Sequence, residues 1–238
     1  MEAPSLNTVF LLANARKGVL AQPNARRAFM RLCSLPGVLA QALPRRIVRA
    51  AGIIPPGMIG ASTRTMPASG DLGALPAELL TTELSVLVAP LPDGQLRSVA
   101  SLLFSAARAQ GIRITVTETD PAGFFKALHE ANADLVLGRW LAEYPDPDTF
   151  AQGMFLRPYG LLTPWFDNTE VQRLLLEARS EADPLARQVL YEEFEAILQH
   201  EALVLPLYHR PVQRCVRTEI RGAEISLIPP YLPWEYLS

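Results

Sequence analysis

Two rhythms of apolar residues run along this chain, and they divide it into short strands and longer amphipathic helices. The short runs predict strands over 8–13, 83–89, 112–117, 133–137 and 203–208, with a further strand over 212–216. In 112–117, Ile112, Ile114 and Val116 alternate with Arg113, Thr115 and Thr117, the period of a sheet with one wetter face. Helical spacing appears over 24–32, where Pro23 stands at the start and Ala25, Ala28, Phe29 and Leu32 share a face. After the break at Leu35-Pro36-Gly37 a short helix is expected over 38–43. Helix 95–110 carries the stripe Leu96, Val99, Leu103 and Ala106 or Ala107, with Asp93-Gly94 as its cap and Gly111 as its stop. Helices follow over 121–131, from Asp146-Pro147 onward, over 169–179, and from Asp183-Pro184 to about 200. The last of these is expected to turn Leu190, Phe194, Ile197 and Leu198 inward. Between 44 and 76 neither rhythm holds, and that stretch reads as a functional surface loop or one bordering a cleft.

The order strand–helix–strand–helix–strand over 83–137 calls for parallel strands and an α/β fold. With 238 residues the chain can bury about 70 % of its unfolded surface, so a core forms without staples. Hydrophobic residues at 49 % and charged residues at 19 % fit an ordinary globular protein. Basic and acidic residues number 22 and 24, and the arginines are scattered, which argues against a nucleic-acid surface. Cys33 and Cys215 lie far apart and imply no disulfide framework. The N-terminus shows no signal-peptide pattern, and no apolar run reaches the length of a membrane span.

Enzyme signatures are missing. There is no phosphate-binding Gly-rich loop, nucleophile elbow, His-Glu-x-x-His or Cys-x-x-Cys. His200-Glu201 lacks the second histidine a zinc site needs, and His129 reads as a helix-surface residue. Asp146 and Asp148 read as a cap and a dipole partner rather than an acid/base pair. No catalytic set and no cofactor are expected. The chemistry that stands out lies at the end of strand 133–137, which runs into Arg139-Trp140 and then Glu143-Tyr144 before Pro145 stops it. Open α/β sheets place ligands at the carboxyl ends of strands. There the Trp140 indole offers an apolar wall with a polar Nε1–H. The plainer alternative puts Trp140 in the core and leaves Glu143 solvated or paired with Arg139.

Three segments, in order, resemble the extracytoplasmic solute-binding proteins of family 5, which deliver peptides, and in some members nickel or haem, to ABC importers. They are Val9-Phe10-Leu11-Leu12-Ala13-Asn14 with Pro23 to Phe29, then Gly111 to Val116 ahead of the Trp140 motif, and Asp183-Pro184 through Tyr191 to Val204-Leu205-Pro206-Leu207-Tyr208. The resemblance implies a periplasmic-binding-protein-like (class II) second lobe, with a mixed, mostly parallel sheet flanked by helices and strands returning toward an absent first lobe. It places the lobe over 1–205 and the hinge crossover over 206–238. It also implies an extracytoplasmic location, an ABC permease as partner, and a missing first lobe or a second copy of the chain against Leu227, Leu232 and Trp234. The Trp-x-x-acid pattern of peptide-binding members puts Glu143 where the family carries an Asp that pairs with the ligand's α-ammonium, one methylene shorter. Around it, Arg139, Tyr144, Tyr208, His209 and Arg210 are the further ligand candidates. Arg139 faces either a ligand carboxylate or solvent, and hinge-strand packing is the other reading for Tyr208. The peptide or other small solute is the expected ligand. The alternative function is the ligand-sensing C-terminal domain of a cytoplasmic transcription regulator.

Overall fold

A computed structural model describes residues 2–3, 5–43, 47–62, 73–91, 94–213, 215–217, 219–221 and 223–225. The chain opens with β1 (Glu2–Ala3) and enters the main sheet through β2 (Asn7–Ala13), which is buried throughout. Pro23 starts α1 (Pro23–Ser34) and Pro36 starts α2 (Pro36–Ala42), each at a helix position whose N–H has no intrahelical partner. β3 (Val48–Arg49) and α3 (Ala77–Thr81) bracket the irregular stretch, of which 63–72 lies outside the described residues. Next come β4 (Glu83–Val88), α4 (Gln95–Ala109), β5 (Arg113–Glu118), α5 (Pro121–Glu130) and β6 (Leu135–Leu141). The chain continues through α6 (Asp148–Phe155), α7 (Thr169–Ser180) and α8 (Pro184–His200) to β7 (Val204–His209) and β8 (Val212–Gln213).

The end signals work through identifiable hydrogen bonds. Asp120, Asn168 and Asp183 side chains accept from Gly123 N at 2.7 Å, Val171 N at 3.0 Å and Leu185 N at 2.8 Å, capping α5, α7 and α8. Gly111 takes φ 86° after α4 and donates to Arg108 O at 2.9 Å, while Ile112 N reaches Ala107 O at 3.2 Å. The cap expected from Asp93 lies outside the described residues. α6 begins at Asp148, just after Pro147, because Asp146 closes a turn first: its Oδ1 accepts from Asp148 N at 2.9 Å.

The main sheet has the order β3-β7-β2-β6-β4-β5, and β1 pairs with β8 in a separate antiparallel ribbon. β4 lies parallel to both β5 and β6, as the 83–137 pattern requires. β2 is antiparallel to β6 and β7, and β3 is antiparallel to β7. The sheet is therefore mixed, and its parallel part stops at β6 instead of dominating it. A continuous apolar run records burial on both faces but carries no mark of strand direction. β7 is an internal strand, so the boundary expected at 205 falls within it.

Alternate residues of β2 face two cores. Val9, Leu11 and Ala13 meet α1, α2 and α4 on one side. Phe10 and Leu12 meet α5, α6, α7 and α8 on the other, around Phe124, Phe150, Trp165, Tyr191 and Phe194. Two charged side chains are buried in this frame without announcing it in the sequence. Arg26 on α1 donates to the carbonyls of Leu20 at 2.7 Å and Glu201 at 2.7 Å, and pairs with the Glu201 carboxylate at 3.1 Å. Glu195 on α8 is 2 % exposed. Residues 226–238, with Leu227, Leu232 and Trp234, lie outside the described residues.

Candidate functional site

β6 extends beyond Leu137 because β2 keeps pairing beside it, with Thr8 opposite Trp140 and Asn7 opposite Leu141. Trp140 therefore stands within a strand, past the point where the β4 pairing ends at Val88 and Leu137. Its Nε1–H donates to Thr149 Oγ1 on α6 at 3.2 Å. The ring edge lies over Gly153 of the same helix, where a Cβ would come within 3.0 Å of ring Cζ2. A glycine inside a helix costs about 1 kcal/mol against alanine, and here its missing β-carbon gives the indole room. The polar edge of Trp140 is thus satisfied within the protein, and its face is left open.

That face borders a cavity of about 280 Å³. Phe10 of β2 and Val136 and Gly138 of β6 form its floor, with Ala89, Pro90 and Leu91 after β4, Phe124, Phe125 and Leu128 of α5, and Leu161 and Leu162 after α6 around it. Phe124 is 7 % exposed while Phe125, edge-on to it at 5.6 Å, is 55 % exposed. The sequence reading missed α5's part in this wall. The available signal was the pair Phe124-Phe125 just after the strand end, in a helix one turn past Pro121.

Arg139 is half-buried and lines the cavity, whereas Glu143 and Tyr144 sit exposed beyond the strand end. Among the described residues, the side chains of Arg139 and Glu143 make no hydrogen bond or ion pair, so the pairing of Glu143 with Arg139 does not form. Burial, together with the carboxylates of Asp148, Asp146 and Glu143, pushes the Tyr144 phenol up, so it remains neutral. Asp146 and Asp148 look the other way, onto α8. Arg187 donates to Asp146 at 2.8 and 2.9 Å and pairs with Asp148 at 3.2 Å, and the Tyr191 hydroxyl also reaches Asp148. The Asp146 carboxyl is pulled up by burial, but hydrogen bonds from Arg187 and Asp148 N outweigh this and hold it below its usual value. This is a bracket that fixes the Trp140 loop to α8.

The β7 candidates meet the same sheet margin through β2. Tyr208 is fully buried in the core. His209 is 6 % exposed, with Nδ1 at 3.0 Å from Asn7 O and 3.1 Å from Thr8 Oγ1. A carbonyl only accepts, so Nδ1 carries the proton, and burial pulls the His209 pKa down. Asn7 in turn brackets Arg210, donating to its carbonyl at 2.8 Å and accepting from its N–H at 3.2 Å. Thr8 Oγ1 donates to Ile53 O at 2.7 Å, and the Glu195 carboxylate accepts from Ile54 N at 2.8 Å. One polar chain thus ties α8, the 53–54 turn, β2 and β7 together beside the Trp140 margin. Burial pushes the Glu195 carboxyl up to about 7 despite the Ile54 and Ile53 amides. Among the described residues no group of His, Cys, Asp and Glu is arranged to hold a metal ion. Cys33 is buried and Cys215 exposed, and both are free thiols.

No family model matches the chain. The probable D,D-dipeptide-binding periplasmic protein DdpA of Escherichia coli K12 is 24 % identical over 229 residues, covering 93 % of this chain and 44 % of that protein. Among solved structures, the dipeptide-binding protein of Pseudoalteromonas sp. SM9913 in complex with Met-Leu superimposes at a TM-score of 0.81 and 19 % identity, over 100 % of this chain and 49 % of its own. NikA from Brucella suis in complex with Fe(III)-EDTA gives 0.83 and 18 %, over 100 % and 51 %. The chain spans about half the length of these relatives. Its fold and its curated neighbours are thus those of the periplasmic binding proteins of the family 5 solute-binding type, which it matches over about half of their length.

Proposed function

We propose that the chain supplies one wall of a binding site for a short peptide, in a solute-binding protein that serves an ABC importer. The observation that carries this reading is the arrangement along five positions of backbone, 139 to 143: the indole face of Trp140 lies between a cation, Arg139, and an anion, Glu143, neither of which makes an ion pair among the described residues. A zwitterion with an apolar middle is the complement of that sequence of groups. Glu143 meets the α-ammonium and Arg139 a carboxylate, each as a charge-assisted contact of about 1.5–3 kcal/mol. His209 and Arg210, held by Asn7 and Thr8, shape the neighbouring margin. The similarity to peptide-binding periplasmic relatives supports the same ligand class, an extracytoplasmic setting and a permease partner, with binding and release in place of chemical turnover. The transcription-regulator alternative finds no support among these relatives.

Calorimetric titration of the chain with a free dipeptide tests the reading. Binding is expected, and Glu143→Gln should weaken it by about 10-fold or more, the equivalent of one lost charge-assisted contact. A dipeptide that binds equally well to the Gln variant contradicts the role given to Glu143.

A further inference from the structure

The cavity beside Trp140 differs in kind from the charged margin around it, and it says something about which peptide enters. Its walls are Phe10, Phe124, Leu128, Leu161, Leu162 and the Trp140 face, and among the described lining residues the sole charged side chain is Arg139. At about 280 Å³ it falls just under the range of whole small-molecule sites, so it has room for a side chain but not for a peptide. The wall is fixed before any ligand arrives, because Thr149 and Gly153 set the indole and Phe124 is buried among its neighbours. Phe125 stands at the rim, 55 % exposed, edge-on to Phe124. Isolated exposed aromatics are ordinary, but this one has a ready-made apolar hollow beside it and loses its exposure when that hollow is filled.

We propose that this cavity is a selective subsite that takes one apolar side chain of the ligand, of leucine to phenylalanine size, and rejects a cationic one. The inference rests on the peptide reading above and deepens it. Burying a leucine side chain from water is favourable by about 1.5–3 kcal/mol. A lysine ammonium placed there meets no carboxylate among the described lining residues. Selectivity of this kind combines an attractive wall for one class with an uncompensated charge for the other.

The test uses methyl-labelled protein and NMR titration with the acetyl amides of leucine, phenylalanine, lysine and aspartate, which present one side chain and no terminal charge. The leucine and phenylalanine amides should shift the methyls of Leu128, Leu161 and Leu162 and bind at least about 10-fold more tightly than the lysine amide. Ala89→Phe, which fills the cavity from its half-buried edge, should abolish those shifts while the methyl spectrum stays dispersed. If that variant fails to fold, Phe125→Ala at the exposed rim should still weaken the leucine amide several-fold. Equal affinities, a preference for the aspartate amide, or shifts confined to other methyls overturn the subsite. The free dipeptides Leu-Leu and Lys-Lys separate this failure from failure of the peptide reading. If the two bind alike, the subsite falls and peptide binding stands. If Leu-Leu binds no more tightly than the leucine amide, the subsite stands and recognition of peptide ends falls.

Discussion

Trp140 and Thr149 are joined by a single hydrogen bond, indole Nε1–H to Oγ1 at 3.2 Å, which ties the last strand of the parallel unit to the helix that follows it. Thr149→Val keeps the side-chain shape and removes the acceptor. It should lower stability by about 1 kcal/mol, the cost of leaving a half-buried donor unmet, as read from the urea unfolding midpoint. Ligand affinity should fall with it, because the ring loses its fixed orientation.

Gly153 lies under the same ring, and replacing it sets two effects against each other. Alanine gains about 1 kcal/mol of helix propensity, but its Cβ would come within 3.0 Å of ring Cζ2 and crowd the indole. Gly153→Ala should therefore change stability by less than about 1 kcal/mol while peptide affinity drops several-fold, measured by calorimetry on the same sample. A variant with unchanged affinity would show that the ring position does not matter to the site.

Glu195 gives the protein a pH dependence opposite to that of an ion-paired carboxylate. Its folded pKa is raised from 4.5 to about 7 by burial, so the folded state holds a proton that the unfolded chain releases. The stability this contributes is complete below pH 4.5 and is lost as pH rises toward 7, by about 3 kcal/mol in all. Glu195→Gln keeps an acceptor for Ile54 N and cannot ionise. The variant should gain on the parent protein between pH 5 and pH 8 in denaturant titrations, and the gap should stop widening above pH 8. A constant difference across that range would mean that the carboxylate stays ionised throughout.

The Arg187 bracket should matter to stability more than its exposure suggests. Its side chain is 17 % exposed and holds Asp146, Asp148, the Ala178 carbonyl and the Tyr191 ring at once. Arg187→Met should cost about 2–4 kcal/mol in unfolding free energy, since it leaves two half-buried carboxylates without their cation. The loss should also loosen the segment that carries Glu143, seen as faster amide exchange over 143–148.

Much of this frame could be read from local chemistry. Pro23, Asp120, Asn168, Asp183 and Gly111 each fix a helix end through their own backbone or side-chain atoms, so their positions carry the answer with them. The β4–α4–β5–α5–β6 unit was legible for the same reason. Strand direction in β2 and β7 was not, because runs buried on both faces look alike whichever way they pair. Arg26 and Glu195 escaped the amphipathic reading, since a charge at a buried helix position is indistinguishable from a solvated one until its distant carbonyl or amide partner is in place. Trp140 and Arg139, which border the cavity, were singled out from a strand end. The α5 wall of the cavity was not, because it depends on how Phe124 and Phe125 come to face β6 across the fold.

The most direct test of the account is the intermolecular NOE pattern of Leu-Leu bound to the protein. The account predicts cross-peaks from a leucine methyl to the Trp140 ring and to Phe124, with the ligand's Hα nearest its ammonium close to the side-chain methylenes of Glu143. A bound dipeptide whose NOEs reach none of these three residues contradicts it.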